Sequence, residues 1–350
     1  MNIGSEEERQ ESGQLRLPLV PLLASLVIII GLSVALFERF GDFRLFLDIV
    51  GKAEPWWLVA AVVFQMLTYV ANGQVWNVAV RAAKHPLRPI VLARLAIERL
   101  TIDQFMPSAG VAGHLGTLQG LRHFGVPTTI AMEALFIDLL AHYSAYATAV
   151  LAAFVVLLFH HDVTPVILLT LGVFAAIASF VLITTVLFLQ HRDWIRKLPR
   201  WLSKRKTVAR LVDAVAEVSS ERILAGNVFF KATFFHLAIF ILDGATLWAA
   251  MRAVGVHASP TICFTAFIIA TVAGTVLFIP GGVGVFEVGS VTTLVGFGIP
   301  FEGALAGTLL LRGLTLWIPL IPGSILAHQD LGVRFFGNRK KTEESIKSGS

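Results

Sequence analysis

No charged residue interrupts the run from Val163 to Leu189, and that run is longer than the roughly 20 apolar residues a helix needs to cross a bilayer. Pro18 to Phe37 and Trp56 to Val80 are likewise free of charge, and Thr128 to Phe159, Val228 to Met251 and Pro300 to Ala327 are apolar runs with two charged residues each. In hydrocarbon every backbone N–H and C=O must be paired within the protein, so only helices and closed barrels can span. Barrel strands alternate apolar and polar residues over about ten positions, whereas these runs are continuous. The chain is therefore predicted to be all-α, a polytopic helical membrane protein. Charged residues make up 15% of the chain, against roughly 25% in soluble domains, and the mean hydropathy is +0.76.

The net charge of +5 is concentrated in interhelical segments. One, from Arg81 to Asp103, mixes both signs; the other runs from Arg192 to Arg210 with Asp193 as its one acidic residue. This distribution points to topology and anionic headgroups, and away from nucleic acid. The N-terminal segment carries Glu6, Glu7, Glu8 and Glu11 before its apolar run, so a retained first span is expected and not a cleaved signal. After the basic segment, Val208, Leu211, Val212, Val215 and Val218 share one helical face, which predicts an amphipathic helix on the membrane surface. The single cysteine, Cys263, excludes an intrachain disulfide and a cysteine metal site. His160-His161-Asp162 reads as a polar loop, and neither a metal nor a cofactor is expected. The sequence has no HExxH, GxSxG or Walker-type motif, so neither catalysis nor direct ATP use is expected.

A repeat organises the rest. Phe105-Met106-Pro107 precedes Phe124-Gly125-Val126-Pro127, and Phe278-Ile279-Pro280 precedes Phe297-Gly298-Ile299-Pro300, at a constant offset of 173 residues. Proline and glycine break helices, and broken backbone at membrane depth is tolerated only when buried in protein or lining a wet cavity. Two re-entrant half-helix pairs follow, about 89–122 and 260–296, turning at Pro107, Gly110 and Gly113 and at Pro280, Gly281, Gly282 and Gly284. If 260–279 re-enters from the outside, both basic loops and both termini lie in the cytoplasm, as the positive-inside rule asks. That arrangement has six full spans, two re-entrant elements and an inverted repeat in a cytoplasmic (inner) membrane. The expected segments are a tail (1–17), one transmembrane domain (18–329) and a basic C-terminal tail (330–350). Within the domain, repeat 1 covers about 56–159, the basic linker 190–227 and repeat 2 about 228–327.

Charges within membrane segments are functional candidates, with structural pairing as the alternative. Glu287 follows the Gly-rich turn and Arg312 lies in the last span. Arginine suits a lipid phosphate because its fork binds oxygens bidentately. One expectation is that Arg312, with Arg99, holds the phosphate while Glu287 holds a cationic or hydroxylated headgroup; the other is that Glu287 and Arg312 pair with each other. Glu98, Arg99 and Asp103 on the first re-entrant element are candidates for the same cavity. Glu98 and Arg99 are neighbours on different helix faces, so each needs its own partner. Asp138 and Asp243 are read as relays or paired carboxylates, and His142 and His236 as satisfied core histidines.

Pro280-Gly281-Gly282-Val283-Gly284-Val285-Phe286-Glu287, with Phe297-Gly298-Ile299-Pro300, Leu311-Arg312 and Trp317-Ile318-Pro319, resembles the C-terminal signature of the lysylphosphatidylglycerol synthase transmembrane region, a flippase-like family. Phe105-Met106-Pro107, Gly113-His114 and Phe124 to Pro127 resemble its first half. The resemblance implies a lipid-translocating module for a phospholipid or polyprenyl-linked lipid, with a glycosyltransferase or lipid-modifying enzyme as the candidate partner. His114 stands where the family's first turn usually ends in an acid, and Leu139 where an arginine commonly follows the acid of the next span. A chain ending at Ser350 leaves no room for a synthase domain, so it is not expected to make the lipid. A non-transporting scaffold for such an enzyme is the alternative, and an intramembrane headgroup enzyme a third.

Overall fold

The computed structural model describes residues 51–105, 111–160, 165–190, 215, 217–277 and 282–317, all within the second of two units, Ile49–Ser350. The expected first span, Pro107, Gly110, Pro280, Gly281, His161, Asp162, the Arg192–Arg210 segment, the last part of the final span and the basic tail lie outside the described residues.

Among the described residues the secondary structure is helical and contains no strand. Helix α1 (Pro55–Ala82) is followed by α2 (Pro89–Phe105), α3 (Val111–His123), α4 (Thr128–His160) and α5 (Pro165–Gln190). After the short α6 (Ser220–Ile223) come α7 (Gly226–Ala253), α8 (Pro260–Val276), α9 (Val285–Gly296) and α10 (Phe301–Arg312). A π turn, Gly313–Trp317, continues from α10. Four helices are long and apolar enough to cross a membrane by length and composition: Pro55–Ala82, Thr128–His160, Ile167–Gln190 and Gly226–Ala253. Their outward faces are apolar: Val59, Val62, Val63, Met66, Leu67 and Val70 of α1 are exposed, the inside-out pattern of a helix against lipid. Inward faces are small. Ala141, Ala145, Ala149 and Ala153 form a fully buried stripe along α4, which lets neighbouring backbones approach closely.

The broken pairs are short. Helices α2 and α8 have 17 residues each, α3 has 13 and α9 has 12. At 1.5 Å per residue even the 17-residue members reach only about 26 Å, under the ~30 Å hydrocarbon core. The apolar stretch from Pro260, which by composition could have crossed, ends as a helix at Val276. The expected final span is helical as far as it is described, α10 to Arg312 and then a π turn to Trp317.

Several helix lengths and end contacts recur between the two halves. Helices α1 and α7 are both 28 residues long, and α2 and α8 both 17, with starts and ends 171 residues apart. After α3 and α9 the offset becomes 173. There the bonds Phe124 N to Gly120 O, Gly125 N to Arg122 O and Val126 N to Leu121 O recur as Phe297 N to Thr293 O, Gly298 N to Val295 O and Ile299 N to Leu294 O. Gly125 and Gly298 hold these caps at φ 84° and 82°, a left-handed conformation that glycine adopts without a Cβ clash. Close approaches repeat as well. A Cβ on Gly73 would lie 2.9 Å from the Leu92 backbone, and one on its counterpart Gly244 would lie 3.1 Å from Phe264 Cα. Gly73→Val is thus expected to force α1 and α2 apart and cost about 1–3 kcal/mol, read as a lower melting temperature in detergent.

Helix α7 runs antiparallel along α1, with Glu54 N donating to Ala253 O at 2.8 Å, and packs next most extensively on α4. One core gathers Trp76, Leu92, Leu95 and Leu121 against the first half of α4. The other gathers Cys263, Ile268, Leu294 and Leu311 against its second half. Val218, the last residue on the apolar face of the expected surface helix, is buried in the first core, while Val208, Leu211 and Val212 lie outside the described residues. Glu133 holds this segment: it accepts from Ser219 N at 2.9 Å and from Arg222 Nη2 at 3.0 Å, drawing the end of the linker onto α4.

Candidate functional site: two buried charge clusters

The first cluster is built where α2, α3, α4 and α7 meet. Arg99 Nη1 of α2 donates to Asp138 Oδ2 of α4 at 2.6 Å, and His236 Nε2 of α7 donates to Asp138 Oδ1 at 2.9 Å. The Arg99 guanidinium lies 5.6 Å from the Trp76 ring centre and 3.4 Å, through Nη2, from His114 Nε2. Because arginine only donates, His114 accepts at Nε2 and carries its proton on Nδ1, which lies 3.7 Å from Asp138 Oδ2. Arg99 Nε is 3.7 Å from Asp103, whose Oδ1 accepts from Gly113 N at 2.9 Å. Asp103 thereby ties α2 to α3. Glu98 points elsewhere, to Arg94 at 3.0 Å, as the two-face argument expects.

Exposure grades this cluster. The Asp138 side chain is 1% exposed and His236 6%, whereas Arg99 is 18%, Asp103 26% and His114 29% exposed. A sealed anion thus fixes an arginine whose outer side remains reachable, beside a histidine and a second carboxylate. Five guanidinium donors exceed what Asp138 and His114 use, so this fork can take a further oxygen-rich group without leaving its anchor.

The second cluster joins α9 to α10. Arg312 Nε donates to Glu287 Oε1 at 2.7 Å, and Glu287 Oε2 accepts from Gly284 N at 2.6 Å, capping its own helix. The guanidinium sits 4.9 Å from the Phe286 ring centre. Glu287 and Arg312 stand 173 residues after His114 and Leu139. The second half therefore places acid on the half-helix and base on the next helix, while the first places base on the half-helix (His114) and acid on the next helix (Asp138). Arg99 pairs with Asp138 and Arg312 with Glu287, so the two arginines have different acidic partners.

Between the ends of α1 runs a polar face. Gln65, Tyr69, Asn72 and Trp76 recur at helical spacing, and the buried atoms Asn72 Oδ1 and Trp76 Nε1 have no hydrogen-bond partner. Asp243 of α7, the counterpart of Asn72, accepts from Thr68 at 3.2 Å. His236 and Trp76 were not singled out as site residues by sequence. Extending the repeat backward at offset 171 aligns His236 with Gln65, two polar residues at mid-helix, which is the signal that marks that position.

No curated protein matches the chain at a significant level. A family profile described as Lysylphosphatidylglycerol synthase TM region matches residues 22–323. Most of the chain falls inside that match, including every helix and both charge clusters described above, and the protein belongs to the lysylphosphatidylglycerol synthase transmembrane-region family.

Proposed function

We propose that this protein is a lipid flippase-like transporter, moving a phospholipid or polyprenyl-linked headgroup between leaflets while the acyl chains stay in hydrocarbon. The carrying observation is Arg99, anchored by the sealed Asp138 yet open on its outer side. An isolated phosphate is very costly in an apolar medium, so a partly exposed guanidinium at membrane depth supplies what a crossing headgroup lacks. The polar face of α1 continues from Trp76 to Gln65, about 16 Å along the helix axis, and offers hydrogen-bonding groups through the midplane. The matching broken pairs support an inverted arrangement of six spans and two re-entrant elements, with the basic linker and both termini in the cytoplasm. Glu287 and Arg312, paired at rest, would exchange each other for a headgroup during the crossing.

Reconstituted vesicles carrying fluorescent lipids test the reading. Exchange between leaflets is expected for at least one anionic or polyprenyl-linked lipid, reduced at least tenfold by Arg99→Gln through loss of a charge-assisted contact. Rates equal to protein-free vesicles for all such lipids would defeat it. A second reading, a scaffold for a glycosyltransferase or lipid-modifying enzyme, is favoured by the end of the basic linker being fixed to α4 through Glu133. Co-purification of such an enzyme with an exchange-inactive protein would select that reading.

A further inference from the structure

The far end of the α1–α7 pair, remote from Arg81 and Lys84, carries a cationic group that neither charge cluster uses. Arg252, in the last turn of α7, places its guanidinium 5.8 Å from the Trp57 ring centre and 5.9 Å from that of Trp248. The two indoles meet edge-on with centres 5.1 Å apart. Arg252 Nη1 donates to His257 Nδ1, which leaves the histidine proton on Nε2. Arg252 Nε and Trp248 Nε1 are buried without any hydrogen-bond partner. Among the described residues no carboxylate lies within ion-pair distance of Arg252.

Both orphaned atoms are N–H donors on side chains that have no acceptor of their own, and they sit one helical turn apart beside a permanent positive charge. Such a set is satisfied by an oxygen-rich anion and by nothing apolar. The surroundings say where that anion comes from. Trp56, next to the box, is 84% exposed, and the following turns of α1 present Val59, Val62, Val63 and Met66 outward. An indole pair bordering an apolar helix face is the signature of the membrane–water interface. We propose that Arg252 and Trp248, flanked by the Trp57 ring, bind the phosphate of an anionic phospholipid whose acyl chains lie along the exposed face of α1, in the leaflet opposite the basic linker. The site requires no transport and is distinct from the Arg99 and Arg312 clusters.

Native mass spectrometry of the full chain released from nanodiscs tests this, with phosphatidylglycerol compared against phosphatidylcholine. Retained phosphatidylglycerol is expected to fall about tenfold in Arg252→Gln and in Trp248→Phe, the effect of losing a charge-assisted or buried donor. The phenylalanine keeps the ring and removes only the N–H, so it separates the donor from packing. Should the glutamine variant fail to fold, Arg252→Lys keeps the charge without the fork and is expected to retain an intermediate amount. Unchanged retention in folded variants would overturn the site. So would displacement of the lipid by millimolar inorganic phosphate, which would assign the box to a soluble anion, or equal retention of phosphatidylcholine.

Discussion

Asp138→Ala is expected to lower stability by about 3–5 kcal/mol, because it takes from the half-buried Arg99 its nearest counter-charge, leaving Asp103 at 3.7 Å, and leaves His236 without its acceptor. In a membrane protein purified in detergent that loss would appear as a melting temperature depressed by many degrees or as failure to purify. Asp138→Asn keeps the volume and one acceptor oxygen, so an intermediate loss is expected. The informative experiment is the double change: Asp138→Ala with Arg99→Leu removes both charges and should recover much of the single-variant loss, since the penalty lies in the unpaired charge more than in the missing bond. A single Asp138→Ala variant melting within a degree or two of the parent would show that this carboxylate does not anchor Arg99.

Arg312→Ala is the second large effect. It strands Glu287, whose carboxylate is 20% exposed and still caps Gly284 N, so a somewhat smaller loss, about 2–4 kcal/mol, is expected. Exchanging the pair, Glu287→Arg with Arg312→Glu, restores opposite charges across α9 and α10. It cannot restore the cap, because an arginine at position 287 has no acceptor for Gly284 N. The exchanged protein should therefore regain part of its melting temperature while lipid exchange in vesicles stays lost. Full recovery of exchange would mean that the pair serves only to hold α9 against α10.

The parts of this architecture that follow from local chemistry were legible in the chain. Long, mostly apolar runs marked the long helices, and prolines with glycines marked where α2 and α8 stop. The Phe-Gly-Val-Pro and Phe-Gly-Ile-Pro segments announced caps that the structure builds with the same three hydrogen bonds. Through-space pairing was not legible. Arg99 and Asp138 are 39 residues apart, and Asp138 and His236 are 98 apart; only the rotation of three helices about their axes brings them together. The pairing of Glu287 with Arg312 was one of two open readings, and nothing in their spacing of 25 residues chooses between them. The repeat was visible only at offset 173, because α1 and α7 share size and polarity more than identity and because two residues separate the registers across the broken turn. Burial of Val218 was not legible because an apolar residue looks the same whether it meets lipid or a protein groove; the contacts of Glu133, far away in sequence, hold this segment on α4.

The common register of α1 and α7 means that the protein contains its own control experiment. Asn72 and Asp243 occupy twin positions, as do Gln65 and His236, so transposing the side chains within either couple keeps composition, total charge and near-identical volume while relocating one chemical group from one half to the other. Any change in behaviour after such a transposition reports the asymmetry between the halves itself, a quantity that substitution from outside the molecule always mixes with size and charge.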